Sequence, residues 1–254
     1  MRNLAGKTVL VTGGSRGIGA AIVRRLAAAG AHVAVNYAAA HDAAEALVAE
    51  VAAAGGAAFT VQADIASVGE IKAMFAACDQ RFGAAPNLDI LINNAGYGSD
   101  GSNASLAEEN EAHFDRQLAV NLKGPHFVCQ QALGRLRDHG RVVNIGSVSG
   151  RVAQPQSAGY AMTKRALQSL TFSMAQQLAR RQITVNLIAP GAVDTDFIAH
   201  LRAKPGFDEG VAKNTPMGRM GRPEDIAGAV MMLVGDDARW VTGQIIEASG
   251  GLQL

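Results

Sequence analysis

Tyr160 and Lys164 stand four residues apart in Ala158–Gly159–Tyr160–Ala161–Met162–Thr163–Lys164. On a helix that spacing puts both on one face, within reach of each other. A phenol beside an ammonium is a proton donor whose anion the neighbouring charge stabilises. A free phenol titrates near ~10, so Lys164 and an oxidised nicotinamide ring, both cationic, are expected to draw Tyr160 down toward a useful range. Far upstream, Thr12–Gly13–Gly14–Ser15–Arg16–Gly17–Ile18–Gly19 forms a glycine-rich turn. Glycines let backbone approach a pyrophosphate, and a helix opening there adds oriented N–H groups and a positive dipole. Together these residues read as an enzyme that moves a hydride and a proton.

The positioning elements follow from hydrophobic pattern. Short apolar runs predict strands at Thr8–Val11, His32–Asn36, Ala57–Gln62, Leu88–Ile92, Val142–Ile145, Ile183–Ile188 and Gln244–Glu247. They lack alternation, as strands covered on both faces do. Helices are predicted over 17–29, 42–54, 68–82, 106–137, 158–180 and 223–234. The alternation predicts one doubly wound α/β domain over residues 1–254, a parallel sheet of about seven strands with helices on both faces. Residues 194–222 break the rhythm with Pro205, Gly206, Pro216, Gly218 and Gly221. An irregular insert after a strand is expected to act as a substrate lid.

Composition removes other classes. Of 254 residues 48% are hydrophobic and 18% charged, and the net charge of +1 gives no support to nucleic-acid or membrane-surface binding. The opening residues have no signal-peptide core and no run could span a bilayer, so the expected location is cytoplasmic. Cys78 and Cys129 are expected to be buried, unpaired thiols. Without a His/Cys cluster at ligand spacing, no metal is assigned. None of the six histidines, His113 and His126 included, has an Asp or Ser partner at a recognisable spacing. A Gly-x-Ser-x-Gly hydrolase elbow fails, because Val148 holds the nucleophile's place in Gly146–Ser147–Val148–Ser149–Gly150.

At the end of the second strand an acid would bind the ribose 2′-hydroxyl of NAD. Val35–Asn36–Tyr37 has none, and Arg16 in the turn can face a 2′-phosphate. Both features favour NADP. Ser147 ends a predicted strand, where its hydroxyl could stabilise charge on a carbonyl oxygen. Ser149 is its rival on position alone.

These motifs, in this order, resemble the short-chain dehydrogenases/reductases over essentially the whole chain. After the glycine turn come Asp64–Ile65, Asn93–Asn94–Ala95–Gly96, Asn121 in Val120–Asn121–Leu122, Asn144–Ile145–Gly146–Ser147, Tyr160-x-x-x-Lys164 and Pro190–Gly191. The resemblance implies a Rossmann-type fold and decides for Ser147 over Ser149. It implies Tyr160 as proton donor, Lys164 as its tuner and nicotinamide-ribose holder, and Asn121 as holder of a relay water. Cofactor contacts are implied at Gly13, Ser15, Arg16, Gly17, Ile18, Gly19, Asn36, Tyr37, Asp64, Ile65, Asn93, Ala95, Gly96, Tyr160, Lys164, Pro190, Gly191, Val193 and Thr195. Substrate is expected against Tyr97, Ser147, Val148, Gln154 and Tyr160.

Val35–Asn36–Tyr37–Ala38 and Gly221–Arg222–Pro223–Glu224–Asp225–Ile226–Ala227 are similar to phrases of NADPH-dependent 3-oxoacyl reductases and ketoreductases. Gln176, Gln177 and Asp138 depart from carrier-protein reductases, which tend to hold an acid and a base there. The expected activity is reduction of a ketone or 3-oxoacyl carbonyl by a homotetramer. The competing readings are oxidation of a sugar or secondary alcohol, and a non-catalytic NADP sensor.

Overall fold

The computed structural model describes residues 4–98 and 105–252. Seven strands form one parallel sheet: β1 (Thr8–Val11), β2 (His32–Tyr37), β3 (Ala57–Gln62), β4 (Leu88–Asn93), β5 (Leu136–Ile145), β6 (Thr184–Pro190) and β7 (Ile245–Ala248). Their order is β3-β2-β1-β4-β5-β6-β7. The chain winds outward from β1 to one edge, returns to β4 beside β1, and winds to the other edge. The central strands carry apolar residues toward both faces because helices cover both. Val9, Val11, Ile90, Ile92 and Val143 pack on one side, while Leu10, Leu91 and Val142 pack on the other.

The helices are α1 (Gly17–Ala28), α2 (His41–Ala53), α3 (Val68–Phe82), α4 (Glu111–Leu118), α5 (Gly124–Ala132), α6 (Ala158–Leu178), α7 (Ala199–Arg202), α8 (Phe207–Asn214) and α9 (Pro223–Val234). Local chemistry sets several starts. Ser67 Oγ accepts from Glu70 N–H at 3.3 Å ahead of α3, and Asn110 Oδ1 from His113 N–H at 2.9 Å ahead of α4. Pro223 opens α9, where its missing N–H costs nothing. Cys78 and Cys129 are buried and free, and enclosure pushes each thiol up to about 12.

The helix expected over 106–137 is instead two helices joined by a π turn, Ala119–Lys123. Pro125 is the physical reason, since it has no N–H to give the carbonyl four residues back, at Asn121. The far end also differs. The Arg135 carbonyl accepts from Asn87 and Leu88 N–H, both at 2.9 Å, drawing the chain into the sheet at Leu136. Residues 194–222 hold a short turn of 3-10 helix, Asp196–Ile198, then α7 and α8.

Opposite the site, buried Asp89 ties three strands together. Its carboxylate accepts from Thr8 N–H (2.9 Å) and Arg137 Nη1 (2.7 Å), and pairs with Lys7 at 3.0 Å. Burial alone would raise this carboxyl, but the Thr8 hydrogen bond and the two cations outweigh it and hold it below the usual range. The stability it contributes is therefore full above the unfolded carboxylate value of ~4 and is lost as pH falls through the lower folded value. Asp89→Asn should cost roughly 1–3 kcal/mol at neutral pH and flatten the acid limb of a stability profile. Urea melts at pH 3 to 7 check both; an unchanged profile would remove Asp89 from the account.

Candidate active site

The carboxyl ends of β1, β4, β5 and β6 supply the site. β1 leads into the glycine turn, β4 into Asn94–Gly98, β5 into Ser147 and β6 into Gly191–Thr195. The loops after β1 and β4 are stitched together at the reversal of strand order. Thr12 Oγ accepts from Asn94 N–H (3.0 Å) and Ala95 N–H (3.1 Å), and Asn94 Nδ2 donates to the carbonyls of Thr12 (3.0 Å) and Gly13 (2.8 Å). Gly13 has φ +60°, and a Cβ there would lie 2.8 Å from Ala95 Cα. A Cβ at Gly19 would strike the Gly13 carbonyl. Only glycine allows this close approach.

Arg16 stands at the start of α1 with no side-chain cap, so the first N–H groups of that helix remain for a ligand. Ser15 is buried in the turn and Ile18 packs on the core. An uncapped helix start behind a compressed glycine turn fits a pyrophosphate. Gly17 lies against the Thr195 side chain, and a cavity of ≈ 370 Å³ opens there, lined by Gly17, Asp194, Thr195, Asp196, Ala199 and Arg202. Arg16 is 68% exposed, with Asp196 4.0 Å away. So distant and solvated a partner leaves the guanidinium available.

Several expected cofactor side chains are turned elsewhere. Asn36 is buried: its Oδ1 accepts from Gly13 N–H (3.2 Å), and its Nδ2 donates to the Ala63 carbonyl (3.0 Å). Its side chain holds the glycine turn to β2. Tyr37 is buried with its hydroxyl 2.8 Å from His41 Nδ1. Asp64 pairs with Arg116 at 2.9 Å, and Ile65 is buried beneath Gly124. The Asn93 amide points inward, donating to Asn144 Oδ1 at 2.8 Å. Pro190 and Gly191 are pressed against the end of β7, and Val193 bridges to Gly221.

α6 carries Tyr160 and Lys164 to the same crevice. Lys164 Nζ lies 5.6 Å from the Tyr160 ring centroid and donates to the Ile145 carbonyl at 3.1 Å. A Cβ at Gly96 would sit 3.7 Å from this Nζ, so the β4 loop passes directly over it. Ser147 hydrogen-bonds Tyr160, and its Oγ accepts from Ser149 N–H at 3.1 Å. Ser149 thus serves Ser147 through its backbone.

Lys164 by itself does not lower Tyr160 in this environment. Tyr160 is half-buried as a residue, but its hydroxyl is enclosed, and that burial pushes the phenol up to about 12 against the downward pull of Ser147. Burial also lowers Lys164, to about 8. Desolvation disfavours each charged form. In the free protein Tyr160 is a protonated acid at neutral pH.

Asn121 lies in the π turn, and its side chain is committed. Oδ1 accepts from Tyr97 N–H (2.8 Å) and Nδ2 donates to the Tyr97 carbonyl (2.7 Å). The side chain therefore clamps the β4 loop. Its main-chain carbonyl is the one Pro125 cannot serve. The Tyr97 ring packs on α4, 5.6 Å from His113 and beneath Arg116, rather than over Tyr160. Buried His113 has Glu109 3.6 Å away, a partner one helical turn back that a search for Asp or Ser passes over. Val148 is buried in the turn after Ser147, and Gln154 is half-buried in the loop before α6. Sequence reasoning missed Phe197, whose ring centroid lies 6.1 Å from that of Tyr160.

The family model described as enoyl-(acyl-carrier-protein) reductase matches residues 13–253. A 3-oxoacyl-(acyl-carrier-protein) reductase, FabG, of Staphylococcus aureus is 39% identical over 250 residues, covering 98% of each chain. The angucycline C-6 ketoreductase LanV, solved with bound NADP, is 41% identical with a TM-score of 0.91, covering 99% of this chain and 97% of its own. A short-chain dehydrogenase/reductase of Serratia marcescens is 41% identical with a TM-score of 0.91 and covers 99% of each chain.

Asn121→Ala would leave the Tyr97 N–H and carbonyl without partners. The expected loss is roughly 1–3 kcal/mol of stability, together with a rise in KM as the wall at residues 97–98 loosens. Thermal melts and steady-state kinetics test this, and wild-type values in both would show the clamp to be idle.

Proposed function

The chain belongs to the short-chain dehydrogenase/reductase family, and from that premise we propose that it is an NADPH-dependent carbonyl reductase, converting a ketone or 3-oxoacyl group to a secondary alcohol. The observation that carries this reading is the enclosed Tyr160 hydroxyl, hydrogen-bonded to Ser147 and backed by Lys164. A phenol so placed can give its proton to a carbonyl oxygen during reduction, and the same group would take it back in the reverse direction.

The Gly13–Gly19 turn and the start of α1 would hold the pyrophosphate, with Arg16 toward the 2′-phosphate. LanV, which binds NADP, supports that cofactor choice. NADPH, when bound, supplies the hydride. Ser147 orients the carbonyl oxygen by hydrogen bonding, and Tyr160 passes its proton to that oxygen as negative charge develops there. Lys164 offsets the phenolate left behind. Its lowered value also makes it a competent source of the next proton. Asn121 fixes the loop that passes over Lys164.

A free small molecule is the better-supported substrate. Asp138 pairs with Arg181 Nε at 2.8 Å, and the same guanidinium also serves the Leu133 and Leu136 carbonyls. That base is occupied, which weighs against docking of an acidic carrier protein. No helix among the described residues is long and apolar enough to cross a membrane, and a cytoplasmic location is proposed.

The edge strand β7 and exposed Phe172, Met232 and Trp240 support a homotetramer. Light scattering should return four times the 26.3 kDa chain mass, and a monomer would refute it.

NADPH and NADH consumption against ketones and 3-oxoacyl thioesters tests the activity. Tyr160→Phe should keep NADPH binding and lose on the order of 10²–10⁴-fold in turnover. Full activity in that variant would remove Tyr160 from the chemistry, and cofactor binding with no turnover on any substrate would sink the reductase itself.

A further inference from the structure

The wall beside Tyr160 is rigid on one side and supplied by the irregular segment on the other. Asn121 grips the Tyr97 backbone through two hydrogen bonds, and buried Gln117 donates from Nε2 to the Gly98 carbonyl at 3.1 Å. Residues 97 and 98 are thereby fixed to α4 and the π turn. Facing them is Phe197, in the single 3-10 turn Asp196–Ile198. A Cβ at Gly98 would come within 2.5 Å of Phe197 Cζ and 2.6 Å of Cε1. The ring therefore rests on backbone that only a glycine leaves bare.

On its other side the Phe197 ring looks toward Tyr160, at 6.1 Å between centroids and 51° between planes. It remains 42% exposed, a large apolar surface held open beside the proton donor. The segment is held in place at two further points. Thr195 lies on Gly17, and Arg202 pairs with both Asp194 and Asp208. Phe197 is thus an anchored, partly exposed apolar surface beside Tyr160.

We propose that Phe197 is a specificity-determining residue: seated on Gly98 across from Tyr160, its ring forms one face of the carbonyl site and favours planar ring-bearing ketones over flexible acyl chains. The assignment deepens the carbonyl-reductase reading and rests on it. A flat ring covers the exposed face of Phe197 in an offset or tilted aromatic contact, at centroid spacings of roughly 4.5–7 Å. A flexible chain covers less of that face and gives up more rotational freedom on binding. Gly98 is the positioning partner, because any side chain there displaces the ring.

The test is the ratio of kcat/KM for α-tetralone to that for acetoacetyl-N-acetylcysteamine, measured with NADPH on the full chain. Phe197→Ala should lower the ratio about tenfold, the scale at which a pocket distinguishes hydrophobic groups. Phe197→Tyr should retain the wild-type ratio. Gly98→Ala should lower it through displacement of the ring, and the double variant should fall no further than Phe197→Ala alone, as coupled sites do. NADPH binding followed by fluorescence reports that each variant is folded.

An unchanged ratio in folded Phe197→Ala overturns the assignment and leaves the reductase reading intact. Additive effects of Gly98→Ala and Phe197→Ala overturn the seat. Reduction of neither probe by wild-type protein overturns the carbonyl-reductase reading for both classes, and the Phe197 assignment with it.

Discussion

The reversal of winding between β1 and β4 is the constraint on which the other features depend. Parallel strands that leave a common centre in opposite directions send their following loops apart, and a crevice opens between them. In this chain the gap is narrowed by Thr12 and Asn94, whose hydrogen bonds pull the two loops together until the glycine turn lies on Ala95. The turn, the β4 loop and the end of β5 then border one cleft, and α6 lays Tyr160 and Lys164 along it.

Within that cleft, enclosure decides the protonation states. An ammonium and a phenol in water would each keep close to its ordinary value. Once buried, the phenol holds its proton more firmly and the ammonium holds its own less firmly. The pair becomes a neutral acid with a nearby cation that gives up its proton more easily, an arrangement suited to supplying protons. Holding it costs free energy, which the surrounding polar packing helps to offset. Asn93, Asn144 and Thr171 form a buried chain of hydrogen bonds from β4 through β5 to α6, ending on the Leu167 carbonyl. That chain fixes the helix in depth, and with it the distance of Tyr160 from Ser147.

Asn121 shows how one position serves two demands. Its amide pairs with the Tyr97 backbone as another strand would, while Pro125 four residues on denies its carbonyl the usual helical donor. The proline was visible in the sequence, yet the apolar pattern runs straight through it and predicts one long helix. Phe197 and Gly98 were equally visible, but nothing in their local chemistry links residues almost a hundred positions apart. Asn36 and Asn93 were visible in the sequence as well. Which way their amides turn depended on carbonyls contributed by other strands.

Hydrophobic runs and glycine spacing by themselves determined the seven strands, the two-sided cover of the sheet and the order of motifs. Those features arise from interactions along the chain: apolar burial on both faces of a strand, and the freedom of a residue without a Cβ. The four-residue spacing likewise placed Tyr160 beside Lys164 before any fold was known. Only the tertiary structure decided that burial would raise Tyr160 rather than let Lys164 lower it, that Asn121 would hold a loop through its side chain, and that Phe197 would come to rest on Gly98. Desolvation and close approach are properties of surroundings assembled from distant segments, so no local pattern in the sequence encodes them.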